Sequence, residues 1–499
     1  MASLGFREQV FAAATAPAAA VSAAVFVLGV LAFSKTIAFV MVGAILFAYA
    51  LWASGNPRLL SLWGLILTAP LTIGKDFMTI PHMGGAGAYS IEAADVFLLI
   101  LLVFLLRDAV AWRRPVRLPP IILWWGIAIF IGILHMALGD LRNLAGQEVF
   151  QMSKGALLFI VLINEVVRVR QFEHIFWALT GSVFLQSLIA IAQYIKKGDL
   201  GLQILGEAEG KYLELTNIAT FEGAAETFRI GGLLGHPNLF AGFVAIFAPV
   251  LLASLSVRMG QLRKAAVVIV LGTAGLALLL TLSRSGWISA AFGLTVTLAL
   301  GMLSKHHARR FAPITIIGMV GASTAGLLAS PLIIKRIFQS DSGALDFRWE
   351  WMAVAWQMVK ENPITGVGLN SFVFRLPGNN PYGGVVELNQ RFGENWPVVH
   401  NIYLIFWSEL GTFGLVALVG TFLGLILMGM MAIRRVKQPM VHAMIVGGIG
   451  GTSAIALDGM ASFFIRNPAC GRIFWIVAAL IVAGVYWERA NRHRTGHSA

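Results

Sequence analysis

Four stretches of this chain place charged or proton-carrying side chains where apolar runs begin or break. Phe228 to Phe243 reads FRIGGLLGHPNLFAGF, with Arg229 ahead of a Gly-Gly pair and a His236-Pro-Asn238 break. Leu282 to Trp287 reads LSRSGW, so Arg284 sits between Ser283 and Ser285 in a very short link between two apolar segments. Asp346 to Phe372 reads DFRWEWMAVAWQMVKENPITGVGLNSF and carries Arg348. Trp396 to Leu415 reads WPVVHNIYLIFWSELGTFGL, where His400 and Asn401 open an apolar run, Tyr403 follows, and Glu409 lies about two turns deeper. The chemistry of such a set is limited. Arginine is a fixed cation whose planar fork binds phosphate oxygens in pairs and does not deprotonate. An imidazole, with an ordinary pKa of about 6.5, can take a proton near neutral pH. Together they could hold an anion and move a proton.

The elements that must position these residues are membrane helices. Of 499 residues, 58% are hydrophobic and only 12% charged, where a soluble protein would carry about 25% charged residues. Mean hydropathy is +0.79. Candidate spans lie near 15–33, 36–53, 59–73, 94–106, 118–138, 153–167, 173–195, 232–257, 265–281, 286–303, 311–331, 401–432, 440–461 and 471–487, against about 20 apolar residues needed to cross a bilayer. The expected fold is an all-α polytopic membrane protein of about 12–14 transmembrane helices. Arg7 and Glu8 precede an alanine-rich run without a convincing cleavage site, so that run reads as the first span. The single cysteine, Cys470, excludes an intrachain disulfide and a multi-cysteine metal site.

The net charge of +13 does not point to nucleic acid, because the basic residues are scattered through short loops between apolar runs. That is the pattern of the positive-inside rule. With the N-terminus cytoplasmic, the net charge divides into +15 inside and −2 outside. The inverted topology would put every strongly basic loop outside, so both termini are expected in the cytoplasm. Loops near 74–93, 196–231 and 332–400 then fall on the outer face, as do all four motif stretches. From Arg348 to Lys360 the third stretch reads as an amphipathic helix with Trp349, Met352, Ala353, Trp356 and Val359 on one stripe. Its three tryptophans suit the membrane interface. Lys305 to Arg310 reads as one of the basic topology signals.

In order and spacing, Arg-x-Gly-Gly…His-Pro-Asn, Leu-Ser-Arg-Ser-Gly-Trp, Arg-Trp…Asn-Pro-Ile-x-Gly-Val-Gly and His-Asn-x-Tyr-Leu…Glu-x-Gly resemble the O-antigen ligase/polymerase superfamily over about residues 225–415. The resemblance implies a GT-C-like fold in the bacterial inner membrane. It also implies transfer of a glycan from undecaprenyl diphosphate to an acceptor glycan, a growing polysaccharide or lipid A-core, at the periplasmic face. Arg229, Arg284 and Arg348 would hold the diphosphate, and His400 would be the base or position the acceptor. His236, Asn238, Ser283, Ser285, Asn401, Tyr403 and Glu409 would line the cavity. The chain then divides into N-terminal helices (1–224), a catalytic membrane region with its large loop (225–432), and C-terminal helices with a basic tail (433–499).

The chemistry agrees with that reading. A departing diphosphate needs its charge neutralised by a metal held on carboxylates or by fixed cations. The outer side has no Asp-x-Asp pair or His/Asp cluster, so a cofactor-free, metal-independent, inverting transfer is expected. Plainer readings compete at every residue. Arg284 and Arg229 fit as anchors whose stems snorkel to the headgroups, and Arg348 as a surface charge. His400 fits as a helix cap or core residue, and the His236 bend as purely structural. Intramembrane Asp458 is a functional candidate by its depth, or the partner of Arg466. Other classes stay open: a flippase of lipid-linked glycans, a protein O-oligosaccharyltransferase, or a peptidoglycan-type polymerase that would need an acid such as Asp76 or Asp346.

Overall fold

The computed structural model describes residues 49, 53, 55–82, 84–167, 169–208, 228–338, 342–376 and 398–495. The expected spans near 15–33 and 36–53 lie almost wholly outside these residues, as do 209–227 and 377–397 of the two longest loops. Thirteen α-helices are present among the described residues: α1 Pro57–Thr68, α2 Ala93–Ala111, α3 Ile122–Leu138, α4 Arg142–Glu165, α5 Val169–Lys196, α6 Pro237–Ser254, α7 Gln261–Leu280, α8 Arg284–Met302, α9 Ala308–Phe338, α10 Ser342–Glu361, α11 Ile402–Ile433, α12 Pro439–Asp458 and α13 Pro468–Thr495. The protein is an all-α polytopic membrane protein. Eight of these helices (α4–α8 and α11–α13) are long and apolar enough to cross a bilayer. The only strands among the described residues are a small hairpin, β1 Gly74–Phe77 paired antiparallel with β2 Tyr89–Glu92.

Helix starts follow local chemistry. Pro237 and Pro439 occupy first-turn positions, where the missing N–H costs nothing. At the bundle's centre α6, α8 and α12 pack against one another, with α6 and α12 buried along nearly their whole length. Small residues permit the approach. A side chain at Gly286 would overlap Ala241, one at Gly293 would meet Ala454, and one at Gly447 would meet the Val250 backbone. Since consecutive helices run antiparallel, the starts of α6, α8 and α11 and the end of α12 meet at one end of the bundle.

Two elements differ from expectation. The link expected at 139–152 is mostly helix, because α4 runs unbroken from Arg142 and turns its polar residues inward. Gln147 and Glu148 are buried, and Glu148 pairs with Arg466 at 3.1 Å. Lys154 pairs with Asp95 at 2.6 Å. Charge marks an interior polar seam here, not a loop. In α10 the packed face is Trp351, Val354, Ala355, Met358 and Val359, against α11, while Trp349 (68% exposed) points outward and Trp356 (45%) lies at the rim, edge to face with Trp407 at 5.3 Å. The helix is amphipathic, but most of the tryptophan stripe is its outward face, as an interfacial helix requires.

Candidate functional site

Arg229, His236, Arg284, Arg348, His400 and Asp458 come to the same end of the bundle from five separate elements. The Gly-Gly stretch is fixed first. Gly232 (φ 56°) and Gly235 (φ 71°) take left-handed backbone, and the turn is clamped by α5. Gln193 accepts from Gly232 N at 2.9 Å and Gln186 accepts from Leu233 N at 3.0 Å. This sets His236 as the N-cap of α6, its Nδ1 accepting from Asn238 N at 3.2 Å. Arg229 is braced on both sides, donating Nε to the Thr281 carbonyl (2.8 Å) and Nη2 to Asn238 Oδ1 (3.0 Å). The first two motifs are therefore in direct contact, and Arg229 is held by the turn that carries Arg284.

That turn is tight. Leu282 has φ 53°, and Ser283 caps α8 by accepting from Gly286 N at 3.3 Å. Ser283 is buried and Gly286 faces Ala241. Their small size serves helix packing and not an open approach. Arg284 begins α8, and Ser285 follows, half-buried. His400 is half-buried beside Phe463 (ring centroids 5.3 Å, edge to face).

Electrostatics tie the group together. His236 opens onto the site yet lies deep among protein atoms. Burial first, then the charges of Arg229, His400 and Arg348, lower its pKa to about 3. Burial and then Arg348 lower His400 to about 4, partly opposed by a hydrogen bond to the Val398 carbonyl. Both rings are neutral at pH 7. His236 accepts at Nδ1, so its proton is on Nε2 and that nitrogen is a donor. His400 donates to a carbonyl, so its other nitrogen keeps a lone pair. Asp458 ends α12, is 1% exposed, and neither carboxylate oxygen accepts a well-formed hydrogen bond among the described residues. Its nearest polar company is the hydroxyls of Ser462 and Ser285, then the charge of Arg348.

Three expected cavity residues have other duties. Asn401 caps α11, accepting from Tyr403 N (3.0 Å) and Leu404 N (3.1 Å). The Tyr403 hydroxyl donates to the Ala456 carbonyl at 2.5 Å, tying α11 to α12. Glu409 belongs to a separate buried knot, where it accepts from Asn370 N (2.9 Å), Phe372 N (3.0 Å) and Arg466 Nη1 (2.9 Å). Arg466 pairs with Glu148 and Glu409, so the alternative pairing of Asp458 with Arg466 is not formed. The knot extends through Asn370 to His82 Nε2 at 2.8 Å. Glu148, Asn370 and His82 were not picked out in the sequence; the acidic residue within an apolar helix was the one available signal.

The glycines of the third and fourth motifs are explained by the same region. Gly411 (φ 68°) kinks α11. The freed groups bond the Pro363–Gly368 stretch, with Val367 N on Ser408 O (2.8 Å), Gly368 N on Glu409 O (3.1 Å) and Thr412 N on Pro363 O (2.8 Å). A side chain at Gly411 would overlap the Ile364 carbonyl, and one at Gly366 the Glu409 backbone. These motif residues dock the segment after α10 onto α11.

The comparison with known families fits this geometry: the family model described as O-antigen ligase matches residues 266–419. This part of the chain, about a third of its length, is similar to the O-antigen ligase family. It contains Arg284, Arg348 and His400 and the docked kink, while Arg229, His236 and Asp458 reach the same site from outside it. No curated protein matches the chain. The O-antigen ligase match supports a membrane glycan-transfer function in polysaccharide biosynthesis, carried out by a glycosyltransferase-like enzyme.

Proposed function

We propose that this protein is an inverting, metal-independent glycosyltransferase that moves a glycan from undecaprenyl diphosphate to an acceptor sugar at the periplasmic face of the bacterial inner membrane. The observation that carries the reading is the gathering of Arg229, Arg284 and Arg348 at one end of the bundle with two neutral histidines, His236 and His400. Arg348 and Arg229 supply fixed positive charge to the departing diphosphate, and Arg284 joins them from the start of α8. His236 offers an N–H to the same oxygens or to the sugar. His400 offers a lone pair. The acceptor hydroxyl oxygen attacks the anomeric carbon from the face opposite the diphosphate, and the bond to the outer phosphate oxygen breaks with its electron pair. The hydroxyl proton passes to His400. One displacement inverts the anomeric centre and needs no covalent intermediate.

Asp458 contributes a carboxylate deep in the same site. Beside Ser285 and within the field of Arg348, it orients the cationic wall. The basic turns at the opposite end of the bundle support a cytoplasmic assignment for that end. Acceptor identity, and with it ligase or polymerase action, rests on loops outside the described residues.

The test uses purified protein with undecaprenyl-diphosphate-linked glycan and candidate acceptors, with and without EDTA, alongside His400→Ala and Arg348→Ala. Transfer is expected to be insensitive to EDTA and to fall by two or more orders of magnitude in either variant. EDTA-sensitive transfer, or full activity in His400→Ala, would remove the corresponding part of the mechanism. Flipping of the lipid without transfer to any acceptor would favour a transporter.

A further inference from the structure

The turn between α8 and α9, at the end of the bundle away from the Arg229–His400 site, is more than a solvated basic loop. It reads Ser304-Lys305-His306-His307-Ala308-Arg309-Arg310. Lys305, His306 and Arg309 are exposed, but Ser304 and His307 are buried. His307 lies against His442 in the first turns of α12, with ring centroids 4.2 Å apart and planes tilted by 38°. Phe311 closes on His442 edge to face at 6.1 Å, and His442 has no exposed surface.

Five buried polar atoms gather here with no hydrogen-bond partner among the described residues: Ser304 Oγ, His307 Nε2, Arg310 Nη1 and both ring nitrogens of His442. Buried polar atoms in native proteins are nearly all paired, so a cluster of this kind calls for a common partner. The groups around it decide its chemistry. His307 faces Arg310 and His306 from its own turn and helix, and the Val436 and Lys437 carbonyls from the α11–α12 turn. His442 faces His307 and His306. No carboxylate acts on either ring, and every side chain in the group can donate. A metal ion fits poorly. Among the described residues no group of three His, Cys, Asp or Glu side chains is placed to share a metal ion, and Arg310 adds positive charge beside His307. An oxyanion fits well, since hydroxyl, guanidinium and imidazole are the groups that bind phosphate.

We propose that Ser304, His307 and Arg310, backed by His442, form a binding site for a phosphate group at this end of the bundle. The location favours the headgroup of an anionic phospholipid. Helix ends meet the bilayer boundary here, the rim carries Lys305 and Arg309, and basic pockets between membrane helices on the cytoplasmic side take anionic headgroups. Burial and the neighbouring Arg310 lower the pKa of His307, so the free ring is neutral at pH 7. A bound phosphate draws a proton onto Nε2, and binding therefore tightens as pH falls.

The experiment places the full-length protein in nanodiscs of phosphatidylcholine alone, phosphatidylcholine with phosphatidylglycerol, or phosphatidylcholine with added inorganic phosphate. Melting temperature and lipid retained by native mass spectrometry are read in each. Phosphatidylglycerol is expected to raise the melting temperature and to be retained. Arg310→Gln should weaken that retention about tenfold, the loss of one charge-assisted hydrogen bond, and Ser304→Ala should weaken it several-fold. Arg309→Gln, an exposed neighbour, should change nothing. A shift caused by inorganic phosphate alone, and lost in Arg310→Gln, would support the phosphate site with the soluble ion as its occupant. Should Arg310→Gln melt early in plain phosphatidylcholine, Ser304→Ala carries the comparison. No difference between anionic and zwitterionic discs, or equal loss in Arg309→Gln and Arg310→Gln, overturns the proposal.

Discussion

Replacing Glu409 by glutamine separates a strut from a site group. Glu409 lies two turns along α11 from His400 and is 2% exposed. Its Oε1 accepts from Phe372 N, and its Oε2 accepts from Asn370 N and Arg466 Nη1. Glutamine keeps the shape, but one of those oxygens becomes an NH2 that faces a donor. If it replaces Oε1, the buried Phe372 N–H loses its acceptor, at a cost of about 1–3 kcal/mol. The bond to Arg466 also loses one of its two charges, and charge-assisted bonds are roughly twice as strong as neutral ones. Breaking a buried ion pair by removing one partner costs about 3–5 kcal/mol. A loss of about 3–5 kcal/mol is therefore expected for Glu409→Gln. It should appear as a clear drop in melting temperature of the purified protein. Transfer per folded molecule, measured well below that melting point, should stay within about threefold of wild type, because the knot touches none of the reacting groups. Arg466→Met should behave in the same way. The double variant should cost less than the sum, since the two residues share one network. A Glu409→Gln protein that melts like wild type yet transfers no glycan would refute this and put Glu409 back in the site.

Gly411→Ala should lower melting sharply and reduce transfer, because the position has φ 68° and its side chain would strike the Ile364 carbonyl; a stable, active variant would mean that the 363–368 segment does not depend on the kink. Tyr403→Phe should cost about 1 kcal/mol through the Ala456 bond and leave the transfer rate unchanged. With His236 near 3 and His400 near 4, kcat/KM should stay flat from pH 7.5 to about 5.5, and an acid limb near 6.5 would contradict a buried neutral base. The same depressed values make the unfolded chain the stronger proton binder below pH 6.5. Stability is thus complete above that pH and declines as pH falls toward 4, which acid-dependent melting would show.

Membrane class and the order of the motifs were readable because they depend on composition and local spacing. Arg229 and Arg284 reach one place because Thr281, the residue directly after α7, offers its carbonyl to the first arginine. No periodicity encodes that contact. Glu409 misled because its depth beside His400 along one helix fits a cavity, whereas the Gly411 kink and the docked 363–372 segment cover it. The extent of α4 was hidden for a related reason. Glu148 looks like a loop charge until Arg466 is placed opposite it from distant sequence. In the same way Lys305–Arg310 carries the charge signature of a topology signal, and the pairing of His307 with His442, 135 positions apart, leaves no trace in that signature.

The matched stretch, 266–419, holds only part of the candidate site. Arg229 and His236 come from before it and Asp458 from after it. What joins them is the α6–α8–α12 core, whose glycines allow helix axes to approach closely enough for Ser285 and Asp458 to share one polar recess. A cluster of arginines alone would repel itself and scatter. Two features bear on its arrangement. Arg229 donates to the Thr281 carbonyl and to Asn238 Oδ1, which orient the guanidinium. The carboxylate of Asp458 lies deep, within the field of Arg348. Carboxylates able to form full ion pairs, Glu148 and Glu409, are occupied by Arg466 in the adjoining knot. In the proposed mechanism the arginines of the site meet the diphosphate, while Arg466 serves the knot. On that basis Asp458→Asn should weaken anion binding less than Arg348→Ala does, and should alter the acid limb of kcat more than KM for the donor. An Asp458→Asn enzyme unchanged in both would show that the buried carboxylate only fills space.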